Sequence, residues 1–145
     1  MTLYLDTSSL IKLYVHESAS ERVLAQVEES SAVVTSIVAY AEARSALARL
    51  RREGRLSARH LTACRLALDR DWPTLVTIGL DAALCQWAGD LAERYALRGF
   101  DSLHLASYLE TRRRAAPAPV TFSCFDERLA RAALAAGRAA ARTRH

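Results

Sequence analysis

Apolar residues follow two rhythms along this chain. Four short apolar or β-branched runs, at residues 3–6, 32–36, 74–78 and 120–123, are too brief for helices and read as buried strands. Between them apolar positions recur every three or four residues, which predicts helices over 8–16, 20–29, 37–53, 58–71, 81–95, 101–113 and 126–136. The punctuation agrees with these limits. Ser18 or Ser20 can cap the second helix, Gly54 suits the C-terminal end of the third, and Trp72-Pro73 stops the fourth. Gly99 breaks the chain before the sixth helix, and Pro117 and Pro119 bracket a loop. Helices 37–53 and 58–71 should form a helical hairpin projecting from the sheet. Alternation of strand and helix predicts an α/β fold, a parallel sheet of four or five strands flanked by helices on both faces. No internal repeat or linker divides it, so residues 1–145 read as a single domain.

Composition narrows the class without naming a chemistry. A domain of 145 residues buries roughly 68–70% of its unfolded surface, enough to fold without staples. The content is 51% hydrophobic and 25% charged, and no apolar run approaches the ~20 residues of a membrane span. Asp6 and Lys12 interrupt what would otherwise be a signal-peptide core, so the expected location is cytoplasmic, with no membrane partner. Cys64, Cys85 and Cys124 are odd in number and widely spaced, which suits reduced, mostly buried thiols rather than a disulfide framework. The net charge of +4 is carried by nineteen arginines and one lysine, Lys12. Arginine favours bidentate contact with phosphate, so the excess is compatible with a nucleic-acid partner.

Most of the sixteen acidic residues lie in open polar sequence or near arginines, as Glu28, Glu29, Asp69, Asp71, Glu93 and Glu110 do. Four do not. Asp6 ends the first strand, Asp101 opens a helix after Gly99-Phe100, Asp126 follows the fourth strand, and Glu42 lies in an otherwise apolar helix. Singly, each aspartate is explained as a helix cap. Glu42 is not, because its helical neighbours Val38, Ala39, Ser45 and Ala46 offer no basic partner. A doubly wound sheet brings the strand ends, and the helix N-termini beside them, to one edge, where ligands of open α/β sheets bind. Four carboxylates meeting there without bases repel one another, and a hard divalent cation such as Mg²⁺ or Mn²⁺ resolves the repulsion. Such a cluster suits metal-assisted phosphodiester hydrolysis.

These residues resemble the PIN-domain ribonucleases, and within them the VapC-like toxins of toxin–antitoxin pairs. Leu5-Asp6-Thr7-Ser8-Ser9-Leu10-Ile11-Lys12-Leu13-Tyr14 looks like the first family motif and Tyr40-Ala41-Glu42 like the second. Arg98-Gly99-Phe100-Asp101-Ser102-Leu103-His104-Leu105-Ala106 is similar to the third, and Phe125-Asp126-Glu127-Arg128-Leu129 to the fourth. The resemblance implies a Mg²⁺ or Mn²⁺ site made by Asp6, Glu42, Asp101 and Asp126, with Asp6 and Asp101 the most direct ligands. It implies RNA cleavage, a homodimer and a cognate antitoxin. Thr7 and Ser9 would cap the first helix or steady Asp6, and His104 would support the site from behind. Two features depart from the pattern. Cys124 stands where the family commonly has Thr or Ser, and residues 138–145 are rich in Arg and Ala where a fifth strand would need apolar residues.

Other readings are weaker. Ser102 and His104 beside Asp101 do not make a triad, since helix residues two apart face different ways and no nucleophile elbow is present. No Gly-rich phosphate loop exists. A haloacid-dehalogenase-type phosphatase also begins with a strand-borne aspartate, but it needs a second one where this chain has Ser8. A catalytically silent PIN-like module would lack one or more of the acids, and all four are here. Arg51, Arg52 and Arg55, and likewise Arg112, Arg113 and Arg114, could grip RNA phosphates or simply favour helix C-termini.

Overall fold

In the computed structural model, which describes residues 1–142, the first strand is the hub of the sheet. Strand β1 (Thr2–Leu5) lies between β2 (Ala32–Ser36) and β4 (Val120–Ser123), and β3 (Val76–Ile78) pairs with the outer side of β2. The order is β3-β2-β1-β4 and every pairing is parallel, with Thr2 opposite both Ala32 and Val120. A parallel sheet needs cover on both faces, and β1 supplies both by simple alternation. Leu3 and Leu5 point to one side and join Leu10, Val23, Ala39, Ala43 and Leu68. Tyr4 points to the other, among Val34, Ile78, Leu105, Leu109 and Leu129. All three β1 residues are fully buried, each contributing about 1.5–3 kcal/mol over exposure.

The helices are α1 (Thr7–Leu10), α2 (Ser20–Glu28), α3 (Ala39–Arg52), α4 (Ala58–Asp71), α5 (Ala82–Tyr95), α6 (Gly99–Ala115) and α7 (Glu127–Arg142), with 3₁₀ turns at Ile11–Leu13 and Trp72–Thr74. α3 and α4 form the expected hairpin around Gly54, whose φ of +73° a side chain would resist. Its base is anchored in the core through Ala39, Ala43 and Leu68, and its tip is exposed. α6 is buried on most of its circumference, between the sheet, α5 and α7.

Several expected boundaries shift. The helix expected over 8–16 is one α turn followed by the 3₁₀ turn, as Ile11, Leu13 and Tyr14 turn inward against the core. Neither Ser18 nor Ser20 caps α2; Ala19 does, at φ +67°, and the Ser20 hydroxyl instead ties Glu17 N–H to the Val15 carbonyl. Pro73 holds the 3₁₀ turn and so delays β3 to Val76. α6 begins at Gly99, placing Asp101 inside the first turn and not at its cap. α7 runs through Gly137 to Arg142, so the segment considered for a fifth strand is helical as far as described, while residues 143–145 of that segment lie outside the described residues. Among the described residues the sheet has four strands, and no helix is long and apolar enough to cross a membrane.

Glu110 carries the clearest acid-sensitive contact outside the groove. It accepts from Arg113 Nε and Nη2 at 2.7 and 2.8 Å and from Arg114 Nε at 2.7 Å. These guanidinium groups, Arg113 foremost, hold its carboxyl down at about 2. A carboxyl lowered on folding stabilises above its unfolded value near 4.3 and loses that contribution as pH falls toward 2. Both arginines are exposed, so Glu110→Gln should cost only about 1 kcal/mol at pH 7. At pH 2, where the folded carboxyl is about half protonated, the same substitution should cost well under half as much, as thermal melts at the two pH values would show.

Candidate active site

Asp6 occupies the point where β1 becomes α1, on the carboxyl edge of the sheet. It caps α1, its Oδ1 accepting the Ser9 N–H at 3.0 Å, while the Ser8 hydroxyl bridges Oδ1 and Oδ2 at 2.7 and 2.9 Å. Cys124 donates its thiol proton to Oδ2 at 3.1 Å. Burial first, and then the Asp6 charge, push the Cys124 thiol far up, so it remains a neutral donor to that carboxylate. The residue that departs from the family pattern thus still donates to the aspartate. Ser9 packs further back, its hydroxyl on Ser123 at 2.9 Å.

Glu42 is held from behind by a chain of polar groups across the sheet. Thr7 Oγ1 donates to its Oε1 at 2.8 Å, and His104 Nε2 approaches the same oxygen at 2.8 Å. His104, buried, meets the hydroxyl of fully buried Tyr4 through Nδ1 at 3.0 Å. A ring protonated on Nε2 satisfies every partner: Tyr4 donates to Nδ1, and Nε2–H faces Glu42 and the Thr7 oxygen at 3.1 Å. Burial, with Asp6 and Glu42 nearby, keeps the Tyr4 hydroxyl well above its ordinary pKa and therefore a donor. Burial also tends to raise Glu42. The hydrogen bonds from His104 and Thr7, with the Arg98 charge, outweigh it and leave the carboxyl below its usual value.

Asp101 and Asp126 share one base that the sequence reading did not pair with them. Arg98 Nε donates to Asp101 Oδ2 at 2.9 Å, and its Nη2 lies 3.6 Å from Asp126 Oδ2. The expectation of four acids without bases is corrected here, because Arg98 adjoins two of them and His104 a third. The signal lay in the third motif itself, where an arginine stands three residues before its aspartate, one helical turn away. Asp126 also caps α7, accepting the Leu129 N–H at 2.9 Å.

All four acids line one groove of about 730 Å³, with Thr7 and His104 in its wall. Ser9 is behind it. Arg49 and Arg98 also line the groove, whereas Arg51, Arg52 and Arg55 lie outside its lining, at the α3–α4 tip. Phe100, 57% exposed, and Lys12 complete a rim that sequence reasoning missed. A donor set made only of carboxylate oxygens fits a hard divalent cation. Among the described residues, however, no three His, Cys, Asp or Glu side chains gather on one point, and the Arg98 guanidinium stands between Asp101 and Asp126 as their cation. Its side chain is 76% exposed.

A family model described as PIN domain matches residues 3–135. The chain belongs to the PIN-domain family. Its relatives place this PIN domain among the VapC-like members. Ribonuclease VapC45 and Ribonuclease VapC49, from two strains of Mycobacterium tuberculosis, are each 36% identical over 107 residues, 74% of either chain. Solved structures agree on the fold. M. tuberculosis VapC20, described as a Sarcin-Ricin loop cleaving toxin, superposes with a TM-score of 0.65 at 20% identity over 90% of this chain and 94% of its own. FitAcB from Neisseria gonorrhoeae gives 0.62 at 18% identity over 90% and 92%. VapBC2 from Rickettsia felis, solved with a DNA fragment from its promoter, gives 0.55 at 15% over 87% and 100%. With the PIN family shown, the phosphatase reading falls.

Proposed function

We propose that this PIN domain is a divalent-metal-dependent endoribonuclease, the toxin of a toxin–antitoxin pair acting in the cytoplasm as a homodimer. The observation that carries the reading is the groove itself: four carboxylates from four separate chain segments line it on the carboxyl edge of the sheet. The Ribonuclease VapC relatives support RNA as the substrate and a cognate antitoxin as the partner.

Asp6 and Asp101 would hold Mg²⁺ or Mn²⁺ most directly, with Glu42 and Asp126 completing the acidic set. The chemistry supplied by such an ion, when bound, is polarisation of a phosphodiester and activation of a water. The protein's own contribution is orientation and charge. Ser8, Ser9 and Cys124 fix the rotamer of Asp6, so its carboxylate loses little freedom when it engages. Thr7 and His104 keep Glu42 ionised and aimed into the groove. Arg98, beside Asp101 and Asp126 at the groove, is placed to pair with an RNA phosphate.

Purified protein should cleave single-stranded RNA with Mn²⁺ or Mg²⁺ and stop on addition of EDTA. Mn²⁺ should also raise the melting temperature in the absence of RNA, as binding to the folded state alone requires. Cleavage undiminished in EDTA would overturn the metal, and no cleavage of any RNA with either ion would overturn the nuclease.

A further inference from the structure

Along one face of α7, arginines stand at positions 128, 131, 138 and 142, with Ala135 in the same helical register. Two hollows lie along this face. One, of about 440 Å³, is lined by Asp101, Asp126 and Glu127 and by Arg98, Arg128 and Arg131. The other, of about 530 Å³, is lined by Arg138, Arg142 and the Arg94 and Tyr95 pair at the end of α5. The first hollow shares both aspartates with the active-site groove, so the basic face continues directly from the acids.

Helix stability does not explain this placement. Arg138 and Arg142 suit the negative end of α7, but Arg128 lies in its first turn, where the dipole disfavours cations. Arg128 and Arg131 are also like charges three apart, a pair that destabilises a helix. The four α7 arginines and Arg94 are all exposed, and among the described residues none of them has an ion-pair partner. Arg128 gives one hydrogen bond to the Ala96 carbonyl, at 3.3 Å, and Arg94 lies over the Tyr95 ring at 5.6 Å. Among the described residues the face thus presents five exposed guanidinium groups without ion-pair partners.

We infer that this face of α7, with Arg94 and Tyr95 opposite, carries the phosphate backbone of single-stranded RNA away from the site of cleavage. The inference rests on the proposed ribonuclease and specifies its substrate path. A rise of 1.5 Å per residue sets Arg131 about 10 Å from Arg138, a spacing that one extended strand bridges with two or three phosphates. Guanidinium groups match phosphate bidentately, and Arg94 is held over the partly buried Tyr95 ring at the edge of the second hollow. A polyanionic peptide would satisfy the charge, but continuity with the phosphodiester-cleaving groove favours RNA.

The test uses the full chain carrying Arg131→Ala and Arg138→Ala together, with Arg59→Ala/Arg65→Ala, at exposed positions of α4, as a control of equal charge loss. Binding of a labelled single-stranded oligoribonucleotide is followed by anisotropy in EDTA across a salt series, beside cleavage kinetics in Mn²⁺ and a thermal melt. The α7 variant should bind about tenfold or more weakly and lose about 1.4 from the slope of log K against log salt, two phosphate contacts at ~0.7 each. Its KM should rise with kcat little changed, and its melting temperature should hold. RNA binding and salt slope equal to wild type, or an equal loss in the control, would overturn the path. Loss of polyglutamate binding with RNA binding intact would overturn it in favour of a peptide. Wild-type protein that neither binds nor cleaves RNA would instead defeat the ribonuclease reading on which the path depends.

Discussion

Asp6→Asn is expected to leave a folded protein without RNA cleavage. The substitution keeps the side chain's shape and its carbonyl oxygen, which can still accept the Ser9 N–H and a proton from Ser8. Asn also caps helices about as well as Asp. One contact is lost in kind, since the new amide nitrogen would face the Cys124 thiol that now donates to the carboxylate. Removal of that bond should cost no more than about 1 kcal/mol, a few degrees of melting temperature for a domain of this size. The negative charge, however, disappears from the residue held most firmly in the groove. We expect kcat/KM on RNA in Mn²⁺ to fall by about a thousandfold or more, equivalent to ~4 kcal/mol of barrier. Cleavage within tenfold of wild type, with a normal melt, would remove Asp6 from the chemistry.

Sequence pattern reveals this fold where each element is decided by its own residues. β1 alternates Leu3, Tyr4 and Leu5 between two cores, and the strand ends that follow from its register bring Asp6 and Asp126 to one edge. Glu42 was legible because nothing on its own helix could neutralise it. What pattern could not supply was anything decided between elements. The Arg98 bridge joins the entry of α6 to the entry of α7, and the His104 partners Tyr4 and Glu42 come from a strand and another helix. The stop placed at Ala136 failed for a local reason. Gly137 disfavours a helix by about 1 kcal/mol, but the Ala-rich residues after it favour one and carry α7 onward. That extension brings Arg138 and Arg142 into line with Arg128 and Arg131, so the basic face exists only because the tail is helical.

Tyr4 joins the fold to the site, and two substitutions separate those roles. Its ring is fully buried, stacked edge-on to His104 and Tyr108 and tilted against Phe122 with centroids 5.5–6.1 Å apart. Tyr4→Ala removes this packing and should cost about 3–5 kcal/mol, a large part of the 5–15 kcal/mol typical of a domain. Urea unfolding would show it as a lower midpoint. Tyr4→Phe keeps the ring and deletes only the hydroxyl that satisfies His104 Nδ1. A buried acceptor left without a donor costs about 1–3 kcal/mol. It also frees the imidazole to take its proton on Nδ1, which would remove the Nε2–H facing Glu42. The Phe variant should therefore lose activity out of proportion to its stability, with kcat depressed at a temperature where it is fully folded. Its pH profile should shift as Glu42, without the donor that helps hold it low, titrates at a higher pH. Unchanged kcat and pH profile in Tyr4→Phe would confine Tyr4 to the core and break the link from β1 to the groove.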